Sequence, residues 1–120
     1  MEMELVREIA IFSDETVEQI AREAKLAADK AQSDAIADGR EDGYCGFGWV
    51  EVYVDRTNSR EAKALEKMGF SKSYKPRRLD IWKPGAYNGQ SMTIHEIGAR
   101  AYAEVLKKYG FRAYMGSRAD

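Results

Sequence analysis

Three features of the sequence predict a small α+β fold. The first third holds a long alanine-rich stripe at helical spacing, the middle holds a strictly alternating apolar segment, and the last third holds a capped amphipathic run followed by a closing alternation. A length of 120 residues leaves room for one domain with one core, because a second would be too small to stand alone. The expected order is helix, strand, helix, strand, helix, strand: a long N-terminal helix and a short β-sheet with two further helices.

The first helix is expected to open near Ser13, a suitable N-cap, with Asp14 and Glu15 placing negative charge at the positive end of the helix dipole. Val17, Ile20, Ala21, Ala24, Ala27, Ala28, Ala31 and Ala35 then recur with helical period, and Gly39 is expected to end the run. Ahead of it, Leu5, Ile9 and Phe12 fit a helix but also tolerate an extended chain. From Phe47 to Val54 the period changes to two. Gly48, Val50, Val52 and Val54 share one face, read as core; Phe47, Trp49, Glu51 and Tyr53 share the other, read as a partly covered surface.

Asn58 and Glu61 have the spacing of a capping box for a short helix striped by Ala62, Leu65 and Met68 and ended by Gly69. A short strand is expected over Leu79–Trp82, followed by a loop whose Pro84-Gly85 and Asn88-Gly89 mark turns. Thr93 and Glu96 form a second capping box, with Ile94, Ile97, Ala101, Val105 and Leu106 facing inward and Gly110 after the end. Phe111, Ala113 and Met115 alternate into a closing strand, after which Arg118 lies on a Gly-Ser tail that is either frayed or held against a ligand or subunit.

Composition narrows the function. No apolar run approaches the roughly 18 residues of a membrane span, and the acidic amino terminus MEMELVREIAIF is unlike a signal peptide, so a cytosolic protein with no membrane partner is expected. One cysteine, Cys45, and one histidine, His95, leave no internal disulfide and no multi-histidine zinc site. No metal and no cofactor are expected. The net charge of −1 conceals a division: residues 1–55 carry 5 basic against 14 acidic side chains, and residues 56–120 carry 14 basic against 6 acidic. Such segregation leaves a basic half able to attract phosphates, or lets one half pack over the other within a chain or between subunits.

Each candidate site in the sequence also admits a structural role. The glycine-rich Gly43–Gly48 segment precedes a strand, whereas a phosphate-cradling loop follows one and opens a helix, so a turn or packing role is preferred. His95 sits in a first helical turn, where a surface or capping role is preferred to that of a general base, and no nucleophile can be matched to it. Cys45 reads as a small buried hydrophobe rather than a nucleophile. The segment from Lys72 to Ser91 is richer. Lys72, Lys75, Arg77, Arg78 and Lys83 are interleaved with Tyr74, Trp82 and Tyr87, then with Asn88 and Gln90. Guanidinium groups fork onto phosphates, aromatic faces stack on bases and amides read polar edges. The alternative is a solvated basic loop with Trp82 in the core.

Four stretches in order carry a resemblance. They are Cys45-Gly46-Phe47-Gly48-Trp49-Val50, Tyr87-Asn88-Gly89-Gln90-Ser91-Met92, Gly98-Ala99-Arg100-Ala101-Tyr102-Ala103-Glu104-Val105-Leu106, and Tyr114 with Gly116-Ser117-Arg118-Ala119-Asp120. Over roughly residues 44–120 the pattern resembles the first-described family of phage Thoeris anti-defence proteins. That resemblance implies a single nucleotide-binding domain, residues 1–120, that sequesters a cyclic nucleotide immune signal, glycocyclic ADP-ribose or also cyclic oligonucleotides, without cleaving it. It implies a viral protein, assembled as a homo-oligomer (dimer or hexamer), acting in the cytoplasm of the infected bacterial host, with no catalytic residues. The ligand-binding roles it implies fall on Trp82, Asn88, Gln90 and Arg118, with Arg77 and Arg78 as further candidates; the Lys72–Arg78 stretch matches no family motif. The alternatives are a small nucleic-acid-binding module, for which the near-neutral charge speaks against tight binding, and a cyclic-nucleotide-degrading enzyme.

Overall fold

Ser13 caps the first helix as expected, its hydroxyl accepting from the Thr16 N–H at 3.3 Å. In the computed structural model, which describes residues 13–120, helix α1 runs over Asp14–Ala37. The expectation for Leu5, Ile9 and Phe12 lies outside the described residues. Strand β1 follows (Gly46–Tyr53), then helix α2 (Arg60–Lys67), strands β2 (Ser71–Lys72) and β3 (Arg78–Trp82), helix α3 (Met92–Lys108) and strand β4 (Arg112–Ala119). The fold is α+β and the predicted order holds, with the two-residue β2 as an addition.

The sheet has the order β2-β3-β1-β4 with every neighbour antiparallel. From β1 onward the connectivity β-α-β-β-α-β is that of a split β-α-β unit, with α1 appended in front. One sheet face is the core: Val50, Val52 and Leu79 are fully buried, with Val54, Phe111 and Ala113 beside them. Helix α3 lies across this face on β1 and β4, and α1 packs on α3. The shallow alanine stripe permits that approach, with Ala24 and Ala28 fully buried around Ile20. Glu23 ties the two helices further, accepting from Tyr109 Oη at 2.5 Å and pairing with Lys108. Gly48 lets the start of α3 meet β1, since a Cβ there would stand 2.7 Å from the His95 carbonyl oxygen.

Several local expectations are corrected. Ser59, not Asn58, caps α2 by accepting from Ala62 N–H, and Ser91, not Thr93, caps α3 by accepting from Ile94 N–H. In both cases the serine directly before the first helical residue captures the free amide, Thr93 lying already inside α3. Thr93 instead donates to Asp42 Oδ2 at 2.5 Å. His95 is buried rather than superficial, because the β3–α3 loop folds over it. The carboxyl-terminal tail is neither frayed nor loose: β4 pairs with β1 along its whole length, as far as Gly46 opposite Ala119. Among the described residues no helix is long and apolar enough to cross a membrane.

Candidate functional site: the open face of the sheet

Strand alternation sends one set of side chains away from the helices, and cross-strand register gathers them. Trp49 lies opposite Trp82 and Gly116, Glu51 opposite Asp80 and Tyr114, Tyr53 opposite Arg78 and Arg112, and Phe47 opposite Arg118. Residues directly opposite in antiparallel strands project to the same side. The result is an uncovered aromatic surface, with Trp82 48%, Tyr114 50% and Phe47 37% exposed.

The indoles of Trp49 and Trp82 stack at 4.5 Å and 26°. Phe47 meets Trp82 edge-on at 6.0 Å, and the Arg118 guanidinium lies 5.8 Å from the Phe47 ring centre. Gly116 is what lets Trp49 lie flat across β4: a Cβ at that position would stand 2.4 Å from Trp49 Nε1. Beneath the aromatics sits a charge network. Arg78, nearly buried, donates to both oxygens of Asp80 at 2.9 and 3.0 Å and reaches Glu51 Oε2 at 3.4 Å. Burial opposes its charge, but the hydrogen bond to Asp80, with help from Tyr53 and Glu51, holds its pKa above the ordinary arginine value. Trp49 Nε1 donates to the same Glu51 oxygen at 2.9 Å.

Two depressions flank Glu51 on this face. One, of about 670 Å³, is walled by Trp49, Trp82, Tyr74 and Arg118, with Lys72 and Lys75 among its other lining residues. The other, of about 790 Å³, is bordered by Tyr53, Tyr114, Arg77 and Arg112. A third hollow of about 270 Å³ lies round the end of β1, between Phe47 and the β3–α3 loop, and holds Lys83, Asn88 and Gln90.

The candidate residues therefore separate. Trp82 and Arg118 come together around Phe47. Asn88 and Gln90 share the small hollow on which Phe47 also borders. Arg78 reaches the 670 Å³ basin but is already committed to two carboxylates, and Arg77 lies apart in the 790 Å³ depression. Trp82 is not a core residue.

The loop bearing Asn88 and Gln90 is held from several sides. Buried Gln32 on α1 accepts from Tyr87 N–H and donates to the Ile94 carbonyl, both at 3.2 Å. Asp29 accepts from Ala86 N–H at 2.7 Å, His95 Nε2 donates to the Gly89 carbonyl at 2.8 Å, and Tyr87 Oη donates to Glu41 at 2.5 Å. Asp42 joins the following turn, accepting from Thr93, Ser91 and Tyr44; the Thr93 hydroxyl, chiefly, lowers its pKa.

No family model, curated protein or solved structure matches this chain.

Two residues of catalytic type border the small hollow, Cys45 and His95. Each is engaged with the loop: the Cys45 thiol, exposed rather than buried as expected, donates to Gln90 Oε1 at 3.3 Å, and His95 Nε2 donates to the Gly89 carbonyl. Among the described residues no group of three or more His, Cys, Asp or Glu side chains is placed to hold a metal ion. The sequence reading missed Phe47 and Glu51 as residues gathered near Trp82, and Tyr114 as part of the wall of the second depression. The alternation of β1 had marked two of them as one face, but the register with β3 and β4 was not legible.

Proposed function

We propose that the protein captures a cyclic nucleotide signal of the cyclic ADP-ribose class on the open sheet face and holds it intact. The observation carrying this reading is the half-exposed Trp82, stacked on Trp49 beside Phe47 and Arg118 at the edge of a basin of about 670 Å³. That volume lies within the range of small-molecule sites. A base stacks on the indole, Arg118 and the lysines of the basin take the phosphates, and Asn88 and Gln90 approach polar groups extending past Phe47. Retention without cleavage is supported by the engagement of Cys45 and His95 in structural hydrogen bonds. Assembly as a dimer or hexamer, and action in the cytoplasm of a phage-infected bacterium, belong to the same proposal.

The test is to mix the protein with a panel of cyclic nucleotides, filter, heat-denature and analyse what is released. Intact recovery of glycocyclic ADP-ribose supports capture; a chemically altered product, or none retained, overturns it.

A second reading is favoured by one observation. Trp49 and Trp82 lie on the two central strands of a split β-α-β sheet, the position from which RNA-binding sheets of this connectivity stack unpaired bases. Binding of single-stranded RNA that is tighter than binding of any cyclic nucleotide, and that survives moderate salt, would establish it instead.

A further inference from the structure

We infer that Glu51 reads the sugar of the captured nucleotide, its Oε1 accepting a hydrogen bond from a ribose hydroxyl. The inference rests on the capture reading above and adds a specificity to it.

The carboxylates on this face are not equivalent. Both oxygens of Asp80 receive Arg78 donors. Glu51 uses only Oε2, which receives Trp49 Nε1 and faces Arg78, and among the described residues no hydrogen bond reaches its Oε1. The side chain is 17% exposed, so it is fixed by its partners yet open to a ligand. It lies two residues from Trp49 on the same face of β1, about 7 Å along the strand, and borders both large depressions.

Charge decides what Oε1 can accept. Arg78 neutralises one of the two carboxylates, so the trio keeps one net negative charge within a basin whose other charged residues are Arg118, Lys72 and Lys75. A phosphate is repelled from Glu51 and drawn to those cations. A neutral hydroxyl donor is what an ionised acceptor at this position suits, and the sugar supplies it between the stacked base and the phosphates. The Trp49 bond orients the carboxylate before the ligand arrives, so little ordering remains to oppose binding.

The experiment is calorimetric titration with glycocyclic ADP-ribose and with analogues each lacking one free ribose hydroxyl. Wild-type protein is expected to bind one analogue about 10- to 100-fold more weakly than the parent, the loss of a hydrogen bond to a charged acceptor. Glu51→Gln, with its fold checked by melting temperature, is expected to shrink that discrimination about tenfold, because its amide oxygen is a neutral acceptor. If every analogue binds wild type like the parent while Trp82→Ala abolishes binding, capture stands and the role of Glu51 is overturned. If Glu51→Gln weakens parent and analogues equally, Glu51 merely supports Trp49, which also overturns it. If wild type binds none of these molecules, the capture reading falls and takes the inference with it.

Discussion

Replacing Trp82 with alanine separates a binding surface from a structural one, because the two roles carry different energies. A core tryptophan truncated to alanine costs about 3–5 kcal/mol. Trp82 is 48% exposed, so roughly half of that, near 2 kcal/mol, is expected here, including its contact with Trp49. In a domain of this size such a loss lowers the melting temperature by about 8 °C and leaves the fold intact, given a total stability of about 5–15 kcal/mol. Removing an aromatic platform under a stacked base costs a further 1–3 kcal/mol of binding, roughly one to two decades in affinity. Thermal unfolding and calorimetric titration with glycocyclic ADP-ribose, run on one preparation, read both quantities. A folded variant that captures at full strength would refute the stacking assignment. A collapse of the fold would refute the estimate drawn from its exposure.

Gly116→Ala places a methyl group against Trp49 Nε1 and Glu51 Oε2; it should shift tryptophan fluorescence and weaken capture about tenfold, and an unchanged spectrum would show that Trp49 does not need this space. Gln32→Ala removes the partner of both the Tyr87 amide and the Ile94 carbonyl; a loss of about 2–4 kcal/mol and faster hydrogen exchange over residues 84–91 are expected, and unchanged protection there would show that the loop does not depend on α1. Glu23 titrates below its ordinary value of 4.5, chiefly through its hydrogen bond to Lys108. The stabilisation from this depressed carboxylate is present above the unfolded value and is lost as pH falls through the lower folded one. The gap in melting temperature between wild type and Glu23→Gln should therefore close on acidification below 4.5, and a constant gap would assign Glu23 no part in acid sensitivity.

Local chemistry made much of the fold legible. Strand β1 announced itself because its two faces differ in kind, valine against aromatic and charged, and the burial follows that division. The ends of α1 and α3 followed from Gly39 and Gly110, which take φ of 77° and 95°. Features set by distant contacts were not legible. Strand β2 is two residues long, too short to show a period. The Gly116-Ser117 dipeptide lacks strand propensity, and only pairing with β1 extends the ladder to Ala119. Gln32 gave a usable signal, a lone amide in register with Ala24, Ala28 and Ala35, and its burial follows that stripe. Among the candidate site residues, Trp82 stood out as an aromatic in a basic stretch and Arg118 as a cation on the tail, and the resemblance implied a ligand-binding role for both. Their meeting depends on β1 standing between β3 and β4, a matter of topology that no local pattern encodes.

The position of β1 also has a kinetic consequence. Its outer partner, β4, brings residue 119 back to residue 46, and closing so long a loop is opposed by chain entropy before any contact rewards it. Non-local pairings of this kind slow folding, whereas the helices form from neighbours in the chain. A refolding population should hold its helices while Arg118 is still far from Phe47, and should gain the proposed capture only with its slowest phase. Ligand added during refolding would then leave the rate of helix formation unchanged and act by mass action on the fully paired state. Closure of the β1–β4 ladder, rather than recovered ellipticity, is therefore the measure of a finished molecule.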